Sequence, residues 1–264
     1  MTLTTKASIR RRTTPAVWVL IAALAGCGGT SVEQPSDVGA PSGTLTVHAA
    51  ASLADAFEQV AAEFNEVHPD VEVVFNFAGT STLVSQLLEG APGDIFAAAD
   101  TANMAKVQES ALTDADPVVF ATNTAAIVVE KGNPAAITSL ADLARPGLKV
   151  VLCAVEVPCG GYARRILDNA GLTLEPRSYE ESVKAVVSKV ALGEADAGIV
   201  YATDIAATDS IDGVAIEPGV NIVADYPIAV LAGARNRVAA QEFLGFITSA
   251  AGRRILASFG FGPP

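Results

Sequence analysis

Apolar and polar residues alternate with two different periods along most of the chain. Residues 45–49 and 71–78 have the period of a strand, whereas residues 53–67 carry apolar side chains at helical spacing. Further strands are predicted at 94–99, 124–130, 148–153, 197–201, 221–224 and 227–232. Further helices are predicted at 82–89, 101–109, 162–170, 182–192, 239–249 and 252–258. This alternation predicts an α/β fold with mixed, mostly parallel sheets flanked by helices.

The first 26 residues have the layout of a secretory signal peptide. Four basic residues between positions 6 and 12 precede a short apolar run at 17–24. The tripeptide Leu-Ala-Gly before Cys27 predicts cleavage at this point and attachment of a lipid to the cysteine. The alternative, a membrane-spanning helix, would need roughly 20 apolar residues. Residues 27–43 are rich in Gly, Ser and Pro, so a lipidated cysteine and a flexible tether are predicted there.

The charge of the chain restricts its partners. Removal of residues 1–26 would take away four basic residues and no acidic residue, leaving 13 Lys and Arg against 29 Asp and Glu. Such an acidic protein lacks the basic surface that nucleic-acid binding needs. We therefore expect an exported lipoprotein that faces the periplasm or the cell exterior, contacts the membrane through its lipid anchor only, and binds no nucleic acid.

Two further cysteines, Cys153 and Cys159, flank a five-residue loop. In an exported protein this spacing favours a disulfide. The alternative, two unpaired small residues, can be decided only by the distance between their Cα atoms. No histidine lies near them in the sequence, so no site for a bare metal cation is predicted.

Four junctions that lead into predicted helices are rich in small residues, hydroxyls and glycines. They lie at 49–53, 78–83, 157–161 and 180–183. The start of a helix has unpaired N–H groups and a partial positive charge, which together form an anion site. Tyr201, at the end of a predicted strand, adds a fifth donor. Because any single junction is more simply explained as a helix cap, these features alone indicate only an α/β anion binder.

Six segments are informative in combination. They are AAASL at 49–53, FAGTSTL at 77–83, GAPGDIFAAAD at 90–100, FATNTAAIVV at 120–129, VPCGGYARRIL at 157–167 and AGIVYATD at 197–204. In this order they resemble the molybdate-binding proteins of ABC importers. The resemblance implies a non-enzymatic, monomeric protein without a cofactor, which captures molybdate or tungstate and delivers the anion to an ABC permease in the membrane.

The resemblance also implies which residues hold the anion. In that family the contacts are two hydroxyl side chains, two backbone amides and one tyrosine, and the matching positions are Ser52, Thr80, Cys159, Val183 and Tyr201. Thr80 replaces the usual serine, so its methyl group would narrow the site. Cys159 replaces a frequent alanine but contributes only its N–H. None of the five is charged, and protonated phosphate would place its O–H against a donor and be rejected.

A two-lobed periplasmic-binding-protein fold of type II is the fold that the resemblance implies. The first lobe would contain residues 44–122 and 231–264, and the second lobe residues 130–223. Two hinge strands, at 123–129 and 224–230, would join them. An anion that contacts both lobes would bind the closed form better and shift the protein toward it.

Two other functions stay open on the sequence. A binding protein for sulfate or another tetrahedral oxyanion would use the same donors, because sulfate differs from molybdate only in size. An enzyme on the same fold would need a nucleophile with a base, or paired carboxylates. Ser52 has no evident histidine partner, and Asp94 and Asp100 are predicted to cap and turn the chain. His48 and His68 are isolated and are predicted to be structural.

Overall fold

Nine strands of the computed structural model, which describes residues 40–264, form one continuous sheet. They are β1 (Gly43–Ala50), β2 (Val71–Ala78), β3 (Ile95–Ala97), β4 (Val118–Glu130), β5 (Val150–Cys153), β6 (Ser178–Glu180), β7 (Ala197–Tyr201), β8 (Ile211–Ala215) and β9 (Val223–Val230). The strand order is β2-β1-β3-β9-β4-β7-β5-β6, and β8 pairs with β4. The predicted signal peptide, Cys27 and the tether up to residue 39 lie outside the described residues.

Eight α-helices of the same residues flank the sheet. They are α1 (Ala54–Val67), α2 (Thr80–Leu88), α3 (Thr101–Glu109), α4 (Pro158–Asn169), α5 (Val183–Ala191), α6 (Ala202–Ala206), α7 (Arg237–Thr248) and α8 (Ala250–Ser258). Two short 3-10 helices span Ala51–Leu53 and Leu140–Ala144. Within 40–264, none of the helices combines the length and the apolar character that a membrane crossing requires. The predicted α/β fold class is confirmed.

Strand β4 belongs to both halves of the sheet. Its residues up to Thr124 pair with β9, and those from Ala125 onward pair with β7 and β8. We call β1, β2, β3 and β9 the first half-sheet, and β5 to β8 the second half-sheet. Parallel pairs occur among β2, β1 and β3, and among β6, β5 and β7. The four other pairings are antiparallel and all involve β4 or β9, so the sheet is mixed.

Strand β9 runs unbroken through Pro227, where the sequence predicts two pieces at 221–224 and 227–232. A proline has no N–H for the ladder and normally interrupts a central strand. Here β4 shifts its register between Val119 and Ala121, and this irregularity lies opposite the proline. The predicted break is therefore wrong, because the partner strand accommodates the missing donor.

Helix α4 begins at Pro158, four residues earlier than the sequence predicts. Proline suits the first position of a helix because its φ is already helical and its missing N–H would be unpaired anyway. Gly160 and Gly161, which the sequence places just ahead of the helix and which alone could form a plain turn, lie inside the first helical turn. A Cβ added at Gly160 would collide with the carbonyl oxygen of Ala154. Close packing against the loop after β5, and not a turn, explains that glycine.

Four short elements are missing from the sequence prediction: β6, β8, α6 and the second 3-10 helix. Each has five residues or fewer, which is too short for a periodic pattern to be distinguished. Strand β6 matters most for the site, because it is parallel to β5 and the chain passes from its carboxyl end into α5.

The largest hydrophobic cluster extends through both half-sheets. It contains Phe57, Phe64 and Phe243, which pack with centroid distances of 5.2 to 6.2 Å where they meet, and it also contains Val183 and Tyr201. Side chains in such a close-packed interior have little freedom to shift. The strand ends of the two half-sheets therefore lie against the same packed cluster.

Asp94, Asp100 and His48 serve the fold, as predicted. The Asp94 carboxylate accepts hydrogen bonds from three backbone N–H groups, those of Thr46, Arg235 and Asn236. Asp100 caps α3 by accepting from the N–H of Asn103. The His48 ring bonds to the carbonyl oxygen of Pro92 at 2.9 Å. Both carboxylates therefore accept hydrogen bonds from backbone N–H groups.

Candidate functional site

Residues at or just after the carboxyl ends of six strands, β1, β2, β3, β5, β6 and β7, surround one small cavity between the two half-sheets. Eleven residues line it, and they include Ser52, Thr80, Cys159, Val183 and Tyr201, so all five predicted contacts face the same space. Its volume is about 10 Å³, counted as the positions open to the centre of a water molecule. This is near the minimum that holds a single water. A space of this size excludes an organic substrate.

Two hydroxyl side chains reach the cavity from the first half-sheet. Ser52 lies in the 3-10 helix after β1, and Thr80 is the first residue of α2, directly after β2. Both residues are buried. The Oγ1 atom of Thr80 accepts a hydrogen bond from the N–H of Ala99 at 3.3 Å. Because this bond occupies a lone pair of Thr80, its own proton is free to donate into the cavity.

Two helix starts reach the cavity from the second half-sheet. Cys159 is the second residue of α4, and Val183 is the first residue of α5. The first N–H groups of a helix have no partner within the helix. The cap of α5, Ser182, accepts from the N–H of Ala185 and so does not occupy the N–H of Val183. Both backbone amides are therefore available to an anion.

A disulfide joins Cys153 and Cys159, whose Cα atoms lie 5.8 Å apart. Cys153 ends β5 and Cys159 lies in the first turn of α4, so the bond ties the start of the helix to the sheet. Between them the chain turns, and the N–H of Val157 donates to the carbonyl oxygen of Ala154. The amide that faces the cavity is thus held by a covalent link as well as by packing.

The hydroxyl of Tyr201, the last residue of β7, is buried and has no hydrogen-bond partner among the described residues. Burial raises the pKa of Tyr201 well above its ordinary value, so the hydroxyl keeps its proton at neutral pH. An unpaired buried polar group costs about 1–3 kcal/mol. Among the groups that line the cavity, the unpaired hydroxyl of Tyr201 is the clearest evidence for a ligand that supplies a hydrogen-bond acceptor.

Charged side chains are absent from the lining of this cavity. Arg164 lines a separate groove, and Arg165 lies over the ring of Tyr162 with its guanidinium carbon 5.9 Å from the ring centre. Attraction of an anion would therefore come from aimed dipoles at close range. Helix starts and hydroxyls supply such dipoles, and they act more strongly in a site from which water is excluded.

Two contacts at the site were not predicted from the sequence, although Gly79 itself belongs to the predicted junction at 78–83. The hydroxyl of Tyr226, on β9, lies 2.9 Å from the Oγ of Ser52. Gly79 precedes α2, and a Cβ added to it would collide with the carbonyl oxygen of Glu181, just before α5. Glycine therefore lets the starts of α2 and α5 approach closely. Neither contact has a local sequence signal, because each joins segments that are far apart along the chain.

Asp204 is a buried carboxylate three residues after Tyr201. One of its oxygens accepts from the N–H of Tyr201 at 3.1 Å, and the other has no hydrogen-bond partner in 40–264. Loss of hydration on burial raises the pKa of Asp204 to about 7, although Lys184, with its Nζ 3.9 Å away, lowers it in part. The carboxyl group therefore changes its charge near neutral pH.

We expect Asp204→Asn to flatten the pH dependence of stability. The folded protein holds the Asp204 proton more tightly than the unfolded chain, whose pKa is 3.8, so this residue lowers stability as the pH rises from about 4 to about 7. The loss reaches about 4 kcal/mol above that window. Urea unfolding of both proteins at several pH values measures the difference. Parallel stability curves would contradict the expectation.

Several known proteins are similar to this chain in sequence and fold. Residues 45–262 match the family of bacterial extracellular solute-binding proteins. The molybdate-binding protein ModA of Mycobacterium tuberculosis is 44% identical over 93% of this chain and 95% of its own length. ModA of Escherichia coli is 31% identical over 84% of this chain and 90% of its own length.

A solved structure with the same fold is the periplasmic molybdate-binding protein of Azotobacter vinelandii. It superimposes with a TM-score of 0.75 at 20% identity and covers 83% of this chain and 99% of its own. The resemblance that the six sequence segments indicated is thereby confirmed. This protein belongs to the family of bacterial extracellular solute-binding proteins.

Proposed function

We propose that this protein captures molybdate and delivers it to an ABC importer in the membrane. The observation that carries the proposal is a small, uncharged cavity on which helix starts and hydroxyls from both half-sheets converge. The relatives that are 44% and 31% identical are both named molybdate-binding proteins. Tungstate has nearly the same size and charge, and it binds the same site.

The proposed contacts are hydroxyls of Ser52, Thr80 and Tyr201 and backbone N–H groups of Cys159 and Val183. A hydrogen bond to a charged acceptor contributes about 1.5–3 kcal/mol. Five such bonds leave tight binding after the cost of association is subtracted. Since all five groups donate, an oxyanion that carries no proton satisfies them best. Molybdenum is therefore bound as its oxyanion and not as a bare cation.

Membership of a solute-binding family implies transport and not catalysis. The hydroxyl partner of Ser52 is the phenol of Tyr226, which is no general base at neutral pH because burial raises its pKa further. Asp94 and Asp100 accept hydrogen bonds from the backbone, as described above. The groups that a hydrolytic enzyme would need are thus engaged elsewhere.

Two lobes that close on the anion are part of the proposal. The first lobe contains residues 44–122 and 231–264, and the second contains residues 130–223. The hinge strands are 123–129 and 224–230. In support, β4 exchanges its pairing partners within the first of these two segments. An anion that contacts both lobes stabilises the closed form, which the importer then senses.

The proposed route to the membrane begins at the amino terminus. The family match supports an exported protein. We infer that the signal peptide is cleaved before Cys27, that a lipid on Cys27 anchors the protein, and that the tether holds a monomeric binding domain close to the importer. The lipid is then its only contact with the bilayer apart from the importer itself.

Calorimetric titration of the mature protein with molybdate, tungstate, sulfate and phosphate tests the function. We expect tight binding of molybdate and tungstate, weaker binding of sulfate, and the weakest binding of phosphate, whose proton meets a donor. Ser52→Ala should lower the molybdate affinity by tens of fold, or about 2 kcal/mol. Ser110→Ala, which removes an exposed hydroxyl directly after α3, is the matched control. Sulfate or phosphate binding more tightly than molybdate would refute the assignment.

A further inference from the structure

The hydroxyl of Ser52 has an inner partner that is not among the five contacts. The Oγ atom of Ser52 and the hydroxyl of Tyr226 lie 2.9 Å apart, and both residues are buried. We propose that Tyr226 contributes to specificity: it donates its proton to one lone pair of Ser52 and so favours the orientation in which the Ser52 proton faces the cavity. This inference rests on the proposed function, in which Ser52 contacts the anion.

The neighbours of Tyr226 decide the direction of this hydrogen bond. The side-chain oxygen of Asn123 accepts from the N–H of Thr124 at 2.9 Å, and its NH₂ donates to Thr203 at 2.8 Å. The amide therefore faces Tyr226 as a donor. Burial raises the pKa of Tyr226 far above its ordinary value, and its side-chain interactions with Ser52, Asn123 and Tyr201 offset this only in part. Tyr226 thus keeps its single proton. The hydroxyl of Tyr201, whose ring packs against that of Tyr226, has no partner within hydrogen-bond distance in 40–264, so this proton is left for Ser52.

The opposite direction would be unfavourable at an anion site. If Ser52 donated to Tyr226, the lone pairs of Ser52 would face the cavity and repel a negative ligand. In the proposed direction, Tyr226 donates to Ser52 and Ser52 donates to the anion. Hydrogen bonds in such a chain polarise and strengthen one another.

Thr80 also accepts a hydrogen bond on its inner side, but from a backbone N–H. Its Oγ1 atom accepts from the N–H of Ala99, a group that can only donate. Both hydroxyls of the first half-sheet are therefore occupied on their inner side by a donor. A backbone N–H cannot be removed by a simple substitution, whereas the hydroxyl of Tyr226 can. The Ser52–Tyr226 pair is thus the one that mutation can test.

Hydroxyls that turn their protons toward the cavity distinguish an oxyanion without a proton from one that carries a proton. Molybdate carries two charges and no proton, so it can accept from every donor. Hydrogen phosphate has the same charge but one O–H, which needs an acceptor. A serine that rotates freely could turn a lone pair toward this O–H. Because Tyr226 occupies one lone pair of Ser52, the orientation with the serine proton toward the cavity is favoured, and the phenol thereby contributes to rejection of the protonated anion.

Calorimetry with molybdate and inorganic phosphate tests the inference at about pH 8, where phosphate is mainly hydrogen phosphate. For Tyr226→Phe we expect the molybdate affinity to fall about tenfold and the phosphate affinity to stay constant or rise. The molybdate-to-phosphate ratio then falls at least about tenfold. In a Ser52→Ala background, Tyr226→Phe should change neither affinity, since it acts through Ser52. Tyr179→Phe, at an exposed tyrosine, is the matched control.

The ratio of molybdate affinity to phosphate affinity distinguishes a role of Tyr226 in specificity from a merely structural role. Tyr226→Phe keeps the ring that packs against Phe120 and Phe261, and thermal unfolding of the free variant checks that the fold is intact. Equal loss of both affinities, or an undiminished effect in the Ser52→Ala background, would overturn the inference and leave molybdate binding standing. A wild-type protein that binds neither ion would overturn the proposed function and the inference together.

Discussion

Replacing Tyr201 with Phe is expected to weaken molybdate binding by about 10- to 100-fold and to make the free protein more stable. The loss of affinity follows from removal of one hydrogen bond to a charged acceptor, about 1.5–3 kcal/mol. The gain in stability, about 1 kcal/mol, follows because the Tyr201 hydroxyl is buried without a partner among the described residues. Calorimetry measures the first effect, and urea unfolding of the ligand-free protein measures the second.

Tyr201→Phe is expected to lower the affinity for molybdate but to raise the stability of the free protein, and this combination distinguishes it from general damage. A substitution that simply damaged the core would lower both quantities. Tyr179→Phe makes the same chemical change at an exposed position and should alter neither. If Tyr201→Phe bound molybdate as tightly as the wild type, the hydroxyl would not contact the anion and the proposed site would be misplaced.

Gly79→Ala is expected to reduce molybdate affinity by about 100-fold. The added methyl group would collide with the carbonyl oxygen of Glu181, and the side chain of Val157 lies 3.6 Å away. A backbone oxygen cannot rotate aside as a side chain can, and overpacking of this kind costs up to about 3 kcal/mol. The starts of α2 and α5 could then no longer approach closely enough for Thr80 and Val183 to contact one ion.

Small-angle scattering and calorimetry measure this effect together. The radius of gyration of the wild-type protein should fall when molybdate is added, whereas that of Gly79→Ala should not change. The control is Gly245→Ala in α7, where an added Cβ meets open space. Alanine is the better helix former, so this control should gain about 0.5–1 kcal/mol of stability and keep its affinity. Unchanged binding by Gly79→Ala would show that closure does not require the contact.

Local patterns were sufficient for the elements whose residues contact mainly their sequence neighbours. Strand β2 and helix α3 have the predicted limits, and α1 starts within one residue of its prediction. Its apolar residues recur at helical spacing and lie on the buried face. Local patterns also located the helix starts with their hydroxyls and glycines, because a cap depends on only a few adjacent residues.

Local patterns failed where a distant segment changes what a residue can do. Pro227 lies within a continuous strand because β4 shifts its register opposite it. Gly160 lies within a helix because the carbonyl oxygen of Ala154 occupies the space of a side chain. The first six residues of β4 were missed because their pairing with β9 joins segments about 100 residues apart.

The sequence by itself therefore determines most of the strands, the helix starts and the hydrogen-bond donors, since those depend on neighbouring residues. Only the folded molecule brings Ser52 and Tyr201 to one cavity, leaves a tyrosine hydroxyl without a partner, and sets Tyr226 behind a serine 174 positions away. Contacts of this kind arise from the packing of distant segments side by side in the sheet. No periodicity along the chain records that packing, because it depends on the three-dimensional path of the whole backbone.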